Sequence, residues 1–456
     1  MMRDDVDTGD RVPHVVIVGG GFGGLAAAKA LRRAAVHVTL IDRENHHLFQ
    51  PLLYQVATAV LAPGQIGAPI REILRKQRNT TVILGDVQGV DRDRRCVWVD
   101  SADRTGVPVA YDYLILATGV SHSYFGHDEF EPYAPGLKSL ADAVAIRNRI
   151  LAAFEVAEAE DDPTRHHDLL TFVLVGAGPT GVEMASAIAG LVRHALRSEF
   201  RRIDPTSARI VLVDMGNRVL PTFAEDLSAA AKKRLERLGV EVRLGKGVEH
   251  IDGDGVIVAG ERIASKTVIW TAGVAPSPAG RWLAAPTDRA GRVRVEPNLT
   301  VPKYPEIFVV GDTASLDKDG TPLPGVAQVA IQQGHYAGKV IHARVGGGAV
   351  SRPFRYFDKG TMAVGGQGFA VLQTGKVHLA GLFAWLAWAA VHLQFLAQSS
   401  LRLSVFLQWI WTGLTGQRGS RLIVRHHGPA RHDPAPVAAA QIASANAPTI
   451  ALVQGK

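Results

Sequence analysis

The sequence predicts an α/β fold with two similar parallel-sheet domains, followed by a C-terminal region of apolar helices. Two β-branched segments, at residues 15–18 and 170–175, each lead into a Gly-rich turn and an Ala-rich helix, and this repetition predicts the two domains. The third observation is the segment 379–414, where apolar residues and tryptophans are concentrated. With 456 residues, of which 47% are hydrophobic, the chain is long enough to form more than one core.

The composition excludes several kinds of site. Cys96 is the single cysteine, so the chain has no internal disulfide, no Cys-x-x-Cys redox pair and no zinc site made of cysteines. Any redox chemistry therefore needs a bound cofactor, and we expect no metal site. The formal net charge is +7, and from residue 341 onward 11 Lys and Arg residues stand against two acidic residues. The polar segment 1–13 has no apolar stretch typical of a signal peptide, which favours a cytoplasmic start.

The first Gly-rich turn has the spacing Gly-x-Gly-x-x-Gly, at Gly19, Gly21 and Gly24. Glycines at this spacing allow a tight turn, the approach of a pyrophosphate and the packing of helix on strand, and the helix N-terminus attracts the phosphate charge. The next strand ends in Asp42, at the distance where a carboxylate meets a ribose hydroxyl. These features predict a Rossmann-like dinucleotide-binding domain, the alternative being a purely structural turn with an exposed Asp.

The same arrangement occurs again at Gly176, Gly178 and Gly181, and the following strand ends in Asp214. Two such units predict two dinucleotides, and the simplest pair is a nicotinamide cofactor and a flavin, because hydride transfer requires their rings to be stacked. A carboxylate at Asp214 accepts hydrogen bonds from a ribose diol and repels a 2′-phosphate, which favours NADH over NADPH. Arg218, four residues later, could weaken that preference.

Three further apolar strands end in small residues, at Gly119, Gly273 and Gly311-Asp312. A small residue at such a position lets the backbone come close to a ligand. Each is an ordinary strand end by itself, and their order along the chain is the informative feature.

This order of motifs resembles the two-dinucleotide-binding-domain flavoproteins over about residues 12–345. The resemblance implies that FAD binds at the first Gly-rich turn and at Asp312, with Asp42 at the adenosine ribose and Val87 beside the adenine. It also implies that NAD(P)H binds at the second turn.

Three segments resemble the type II NADH:quinone oxidoreductases, also called alternative NADH dehydrogenases. They are HHLFQPLLYQVATAVL at 46–61, GVAQVAIQQG at 325–334 and FDKGTMA at 357–363. Two features depart from that family: Asp214 stands where its members usually have Glu, and the stretch VGGQGFAV is unusually rich in glycine. The resemblance implies oxidation of NADH and two-electron reduction of a membrane quinone, menaquinone or ubiquinone, without proton pumping.

The second of these segments is predicted to form a helix just after Asp312, so that Ala327 and its first N–H groups face the flavin edge that becomes negative on reduction. Gln328 and Gln332 are four residues apart and project from one helix face, where neutral amides can hold a quinone carbonyl. The alternative is a pair of surface glutamines. Gln328 is favoured over Gln332, and both are interpreted as positioning groups.

The resemblance also implies roles for two charged residues. Glu183 is expected in the first turn of the second Gly-rich helix, near the nicotinamide and in proton delivery, although acids favour helix N-termini for structural reasons alone. Lys359 is expected near the quinone or the flavin, the alternative being an exposed lysine after a strand.

The C-terminal segments 379–397 and 401–414 are predicted to lie in the plane of an anionic membrane surface. They contain four tryptophans and are flanked or interrupted by arginines, a combination typical of interfacial helices; these residues are Trp385, Trp388, Trp409, Trp411, Arg402, Arg418, Arg421 and Arg425. The alternatives are one membrane crossing by 379–397 or a buried helix pair in a dimer interface. We expect a peripheral, monotopic protein at the cytoplasmic face of the cell membrane, as a homodimer and without nucleic acid.

The predicted domains follow from these assignments. They are a discontinuous FAD-binding domain at 12–125 and 295–345, an NADH-binding domain at 165–285, a C-terminal region of membrane-anchoring helices at 346–428 and a disordered tail at 429–456. A sulfide:quinone reductase needs redox cysteines and is excluded. A soluble reductase of a protein electron carrier and a non-respiratory NADH-sensing flavoprotein stay open as alternatives.

Overall fold

A computed structural model describes residues 11–318, 321–348 and 352–424. The described residues up to Leu422 form one compact unit. Arg425 and the predicted tail at 429–456 lie outside the described residues.

The first domain is built on a six-stranded sheet whose central strand, His14–Val18, leads into the first Gly-rich turn. In sheet order the strands are Thr300–Val301, Tyr304–Val309, Tyr113–Leu116, His14–Val18, His37–Asp42 and Thr80–Leu84. All neighbours are parallel except the first pair. The carboxyl ends of the parallel strands therefore meet at one edge, where ligands bind in sheets of this kind.

Two helices cover one face of this sheet: the first fingerprint helix, Phe22–Ala30, and the Gln helix, Ala327–Val345. Glycines let them cross closely, since a Cβ built at Gly334 would lie 2.0 Å from the carbonyl oxygen of Gly23. The other face packs on a three-stranded antiparallel sheet of strands Asp86–Asp91, Cys96–Asp100 and Val107–Ala110.

The second domain repeats the design with a four-stranded parallel sheet. Its strands, in sheet order, are Val240–Leu244, Arg209–Asp214, Thr171–Val175 and Thr267–Trp270. The second fingerprint helix, Pro179–Gly190, follows the central strand. Other elements of the domain are the helix Glu225–Arg237 and an antiparallel sheet of Val248–Asp252, Gly255–Val258 and Glu261–Ala264.

Several elements join these domains. The strands Val120–His122 and Val274–Pro276 pair with each other in antiparallel fashion. The long helix Leu140–Ala159 lies between the two predicted domain ranges, and Ser139 caps it by accepting a hydrogen bond from Asp142 N–H at 3.1 Å. The remaining short elements include the strands His46–Leu48 and Gly67–Pro69 and the helices Leu53–Ala57, Ile70–Leu74, Pro163–Leu169 and Ala279–Trp282.

The C-terminal region contains the two predicted helices and, before them, a small sheet that was not predicted. It begins with the C-terminal sheet, three antiparallel strands at Thr361–Val364, Ala370–Thr374 and Val377–Gly381. The C-terminal helix pair follows, at Leu382–Phe395 and Ser399–Thr415. The first helix starts later than residue 379 because the last strand continues to Gly381. Within 11–318, 321–348 and 352–424, no helix combines the length and the apolar character of a membrane span.

Candidate active site

The first Gly-rich turn forms a cradle in which each glycine meets a different constraint. A Cβ at Gly19 would lie 2.3 Å from the carbonyl oxygen of Ala117, and one at Gly24 would lie 1.8 Å from that of Gly19. A Cβ at Gly21 would meet no atom within 4 Å. The outer two glycines thus permit packing, and the space beside the middle one, at the N-terminus of the first fingerprint helix, fits a pyrophosphate.

The second Gly-rich turn repeats this geometry. A Cβ at Gly176 would lie 2.8 Å from the Ala272 side chain, and one at Gly181 would lie 1.8 Å from the carbonyl oxygen of Gly176. Gly178 again faces open space. In both turns the outer glycines thus permit close packing, and the middle glycine leaves open space for a dinucleotide.

Each strand-end acid bonds to its own cradle. Asp42 Oδ2 accepts a hydrogen bond from the Gly20 N–H, and Asp214 Oδ2 accepts one from the Ala177 N–H at 2.5 Å. Burial raises the pKa of Asp42, opposed by its hydrogen bonds to backbone N–H groups. Carboxylate oxygens have further lone pairs, so both acids can also accept a bond from a ribose hydroxyl.

Asp312 lies in the turn Gly311–Thr313, next to the start of the Gln helix. Burial raises its pKa, and the ammonium of Lys138 opposes that rise. Gln333, only 1% exposed, accepts a hydrogen bond from the Gly311 N–H at 2.6 Å and holds the turn in place. Neither Lys138 nor Gln333 was predicted, because Gln333 is not on the helix face of the expected quinone ligands and Lys138 lies outside every motif.

Three other predicted cofactor contacts differ in their surroundings. Gly119 has φ +65° and faces open space. Gly273 also has a positive φ, and a Cβ there would lie 2.5 Å from the Phe125 ring. The positive φ and the carbonyl oxygen of Ser123, 2.8 Å from such a Cβ, also favour glycine at 273, so local packing is enough to explain this residue. The Val87 side chain is 5% exposed and belongs to the core between the two sheets of the first domain, so only its backbone is available to an adenine.

The two predicted quinone ligands hold the segment 357–360. Gln328 donates to the Gly360 carbonyl at 2.8 Å and accepts from the Lys359 N–H at 3.2 Å. Gln332 makes the same pair of bonds with the backbone of Phe357, at 2.9 and 3.0 Å. Each amide retains one N–H and one lone pair, so the positioning of this segment and contact with a quinone are compatible.

Lys359 is exposed, and its Nζ lies 5.8 Å from the centre of the Phe395 ring, above the last residue of the first C-terminal helix. The geometry is that of a cation–π contact. The predicted reactive lysine thus sits between the segment held by the glutamines and the C-terminal helix pair.

Glu183 lies beyond the first turn of the second fingerprint helix, because that helix starts at Pro179, and this corrects the expected position. Its Oε1 accepts a hydrogen bond from the Val364 N–H of the C-terminal sheet at 3.3 Å. Burial raises its pKa to about 8, and the single bond to Val364 offsets little of this effect. A pKa in this range favours the protonated side chain at neutral pH.

A network that the sequence did not reveal lies beside Glu183, on the helix Leu53–Ala57. Tyr54 is buried, and burial together with the charge of Glu183 raises its pKa well above the usual range. Gln55 donates to the Tyr54 hydroxyl at 3.0 Å and accepts from the Trp409 indole at 2.7 Å. Both residues lie in the family-like segment 46–61, which was the only signal that could have pointed to them.

The described arginines that are predicted to meet anionic lipid also make bonds within the protein. Arg402 donates to the Leu396 carbonyl, and Arg421 donates to the Ala195 carbonyl at 2.7 Å. Arg418 is 7% exposed. All three guanidiniums bond to backbone carbonyls within the protein, and Arg418 is too buried to reach a lipid.

The tryptophans are also divided between interior and surface. Trp388 is 2% exposed and stacks on His392 with ring centres 4.4 Å apart. Trp409 bonds to Gln55, whereas Trp411 is 54% exposed. Two of the four predicted interfacial tryptophans thus belong to packing contacts. Among the described residues no group of His, Cys, Asp or Glu is arranged to hold a metal ion.

Two dinucleotide cradles on parallel sheets, with a buried acid beside the Gln helix, define a flavin-dependent pyridine nucleotide oxidoreductase. The family model described as pyridine nucleotide-disulphide oxidoreductase matches residues 13–334. The chain belongs to this family and, within it, to the type II NADH:quinone oxidoreductases. The disulphide of the family name has no counterpart here, because the chain has one cysteine.

The relatives extend along nearly the whole chain. The type II NADH:quinone oxidoreductase Ndh of Mycobacterium tuberculosis is 47% identical over 429 residues, 92% of each chain. NdhA of the same organism is 46% identical over 423 residues, 90% of this chain and 89% of the relative. The solved structure of NDH2 from Plasmodium falciparum in complex with NADH has a TM-score of 0.82 and 20% identity, covering 91% of this chain and all of that one, and this match shows a common fold.

Proposed function

We propose that this protein oxidises NADH at the second cradle and reduces a membrane quinone, with FAD held in the first cradle. The observation that carries the proposal is the pair of equivalent cradles, each with an open middle glycine and a strand-end acid. When bound, FAD accepts the hydride of NADH and gives two electrons to the quinone. The chain lacks a membrane-spanning helix among its described residues, and we propose no proton pumping.

The residues of the first domain are proposed to bind FAD and to orient it. Gly19, Gly21 and Gly24 leave room for the pyrophosphate of FAD, and Asp42 binds its adenosine ribose. Asp312, held in its turn by the Gln helix, is placed to bind the ribityl chain. The N-terminus of the Gln helix, at Ala327, provides a positive dipole end for the charge of the reduced ring.

The residues of the second domain select NADH. Gly176, Gly178 and Gly181 hold its pyrophosphate, and Asp214 accepts from the ribose diol of the adenosine. The carboxylate would repel the phosphate of NADPH. Gly119 and Gly273, at strand ends on the two domains, border the region where the two rings would meet.

The quinone is proposed to bind near Gln328 and Lys359, between the Gln helix and the C-terminal helix pair. Reduction of a quinone to a quinol needs one proton from the protein or solvent in addition to the hydride that NADH supplies. Glu183 can hold that proton, because its pKa is raised to about 8 by burial. Menaquinone and ubiquinone have the same carbonyl chemistry and are both compatible with this site.

We further propose that the C-terminal helix pair places the protein on the cytoplasmic face of a membrane, as a peripheral homodimer. No acidic residue occurs between Leu382 and Thr415, and the pair exposes many large apolar side chains. They are Leu382, Phe383, Leu386, Val391, Phe395, Leu403, Phe406, Leu407, Ile410, Trp411 and Leu414. Because the described arginines are used internally, apolar burial rather than arginine contact with lipid would provide most of the attachment.

The test is an anaerobic stopped-flow experiment at the flavin absorbance band on detergent-purified protein. NADH is expected to bleach the flavin, and a short-chain quinone is expected to restore its absorbance. Absence of bleaching would contradict the NADH:flavin reaction. Bleaching without recovery by quinone would instead favour a protein electron carrier as acceptor.

A further inference from the structure

Arg418 is a buried cation that joins both nucleotide-binding domains to the C-terminal region. It follows the C-terminal helix pair by three residues and is 7% exposed. Its Nη1 donates to the Thr58 carbonyl at 2.7 Å, just after the helix Leu53–Ala57, and its Nη2 donates to the Ala187 carbonyl of the second fingerprint helix at 2.9 Å. One side chain thus connects three parts of the chain that are distant in sequence.

The space and the charges around the Arg418 guanidinium indicate a specific role for it. A Cβ at Gly190 would lie 2.9 Å from the Arg418 Nη2, so a larger residue there would displace the guanidinium. No ion pair involves Arg418 among the described residues. Burial lowers its pKa to about 9, so the side chain is still charged at neutral pH. Burying a charge without a carboxylate partner costs free energy. Attachment to a surface does not require a buried charge, so this cost indicates another role for Arg418.

The two elements that Arg418 joins carry groups of the proposed site. The helix Leu53–Ala57 carries Tyr54, whose hydroxyl accepts from Gln55, and the second fingerprint helix carries Glu183. The carbonyls that Arg418 binds, at Thr58 and Ala187, lie one helical turn after Tyr54 and Glu183 respectively. The charges of Glu183 and Arg418 both affect the pKa of Tyr54, in opposite directions. The separation of these two helices therefore sets how Glu183 faces Tyr54 and how far water reaches it.

We propose that Arg418 is a positioning residue for the quinone half-reaction: its two backbone bonds hold the helix Leu53–Ala57 against the second fingerprint helix and so fix Glu183 opposite Tyr54. This inference rests on the proposed function. It gives the C-terminal region a role in the geometry of the reaction, in addition to any role in attachment.

The glycine cradle for NADH is at the opposite end of the second fingerprint helix from Ala187, so flavin reduction by NADH depends little on Arg418. Loss of the two bonds would instead loosen the contact beside Glu183 and admit water. Hydration favours the charged carboxylate, and the protonated form of Glu183 would then be lost at a lower pH.

Several groups face Glu183 and would shape this pH dependence. Val364 of the C-terminal sheet donates its N–H to the carboxyl, and Tyr54 faces it from the helix Leu53–Ala57. Arg418 lies beyond Tyr54. Arg234, on the helix Glu225–Arg237, bonds to the carbonyl of Gly365, next to Val364, at 3.1 Å.

The test compares Arg418→Met and Gly190→Ala with Arg421→Met. Arg418→Met removes the donors, whereas Gly190→Ala keeps the arginine and displaces it. Gly190 has helical dihedral angles, so alanine is expected to fold there even if Arg418→Met does not. Arg421→Met is the matched control: Arg421 donates to the backbone carbonyls of Ala195 and Arg418 and to the Glu199 carboxylate, and these bonds do not reach the helix Leu53–Ala57.

In both test variants, reoxidation of the reduced flavin by a short-chain quinone is expected to slow about 10-fold or more, while bleaching by NADH changes little. The alkaline limit of the quinone half-reaction should move to lower pH, and backbone hydrogen exchange over residues 53–58 should accelerate. The Arg421→Met variant should behave as wild type in all three measurements.

Wild-type exchange and rates in both test variants would overturn the inference, as would an equal loss in Arg421→Met. A wild-type protein that fails to react with NADH or with quinone contradicts the proposed function itself. The two failures are therefore distinguishable, and the hydrogen exchange of residues 53–58 reports on Arg418 without any turnover.

Discussion

Glu183, Asp42 and Asp312 are carboxylic acids whose pKa is raised by burial, but they differ in their hydrogen bonds. Asp42 accepts bonds from two backbone N–H groups, which stabilise its charged form. Asp312 has the ammonium of Lys138 nearby. Glu183 has only the long bond from Val364 and reaches a pKa of about 8. These different environments support the proposal that Glu183 carries a proton and that Asp42 and Asp312 bind ligands.

A stability measurement tests the state of Glu183. In the unfolded chain its pKa is near 4.5 and in the folded protein about 8, so the folded state holds the proton more tightly. Its contribution to stability is fully present below about pH 4.5 and is lost as the pH rises through about 8. The Glu183→Gln variant has no carboxyl to ionise and so lacks this loss. As the pH rises from about 4.5 to about 8, its thermal midpoint should therefore increase relative to that of the wild type.

Thermal unfolding of the cofactor-free proteins over a pH series measures the difference. Glu155→Gln, on the exposed side of the helix Leu140–Ala159, is the matched control and should follow the wild type. A gap between Glu183→Gln and wild type that does not vary with pH would show that folding does not raise the pKa of Glu183.

At the scale of elements, the Gln helix links the flavin side of the site to the C-terminal region. Its Gln333 holds the Asp312 turn, and its Gln328 and Gln332 hold the segment 357–360. The chain then enters the C-terminal sheet, where Val364 bonds to Glu183. The segment 357–364 is therefore held by both nucleotide-binding domains.

Truncating Gln328 should affect one half-reaction more than the other. Gln328→Ala removes two bonds to the backbone at 359–360 and the proposed quinone contact, so quinone turnover should fall by about 10-fold, corresponding to roughly 1–2 kcal/mol. Flavin reduction by NADH should be nearly unchanged. Stopped-flow kinetics of the two half-reactions provide the measurement.

Gln367→Ala serves as the control for this variant, because Gln367 also bonds to a backbone carbonyl, that of Gly413, but lies away from the segment 357–360. Its two half-reactions should match those of the wild type. Equal losses of flavin reduction and quinone turnover in Gln328→Ala would show that Gln328 has a structural role only.

At the scale of the whole molecule, the exposed apolar side chains are concentrated on the C-terminal helix pair. Phe383 is 80% exposed and Leu414 is 82% exposed, one near the start of the first helix and the other near the end of the second. Soluble proteins seldom expose such a patch without a partner. We propose a bilayer surface as that partner, because helices with large exposed apolar side chains bury them at the membrane interface.

Charging this surface should weaken attachment without unfolding the protein. The double variant Phe383→Glu with Leu414→Glu should bind anionic vesicles at least about 10-fold more weakly, since each exposed side chain would bury apolar area in the bilayer. Vesicle sedimentation measures the change. Val156→Glu, at a position 50% exposed on the helix Leu140–Ala159, is the control and should bind normally. Equal binding of all three proteins would exclude the helix pair as the attachment site.

The sequence by itself determined the two cradles, since their requirements are local. In each, three glycines within a few residues meet steric limits imposed by one strand, one turn and one helix. The strand-end acids follow from the same short-range geometry, and Asp42 and Asp214 do bond to their own turns. Family membership also followed from such motifs.

Only the tertiary structure decided which side chains are used internally. Arginine beside apolar helices is typical of both lipid contact and internal bonding, and the choice depends on what packs against it. Arg418 bonds to a carbonyl 360 positions earlier in the chain, and Trp409 to a side chain 354 positions earlier. Such contacts depend on the assembly of both sheets with the C-terminal region, and burial produced there also sets the pKa of Glu183.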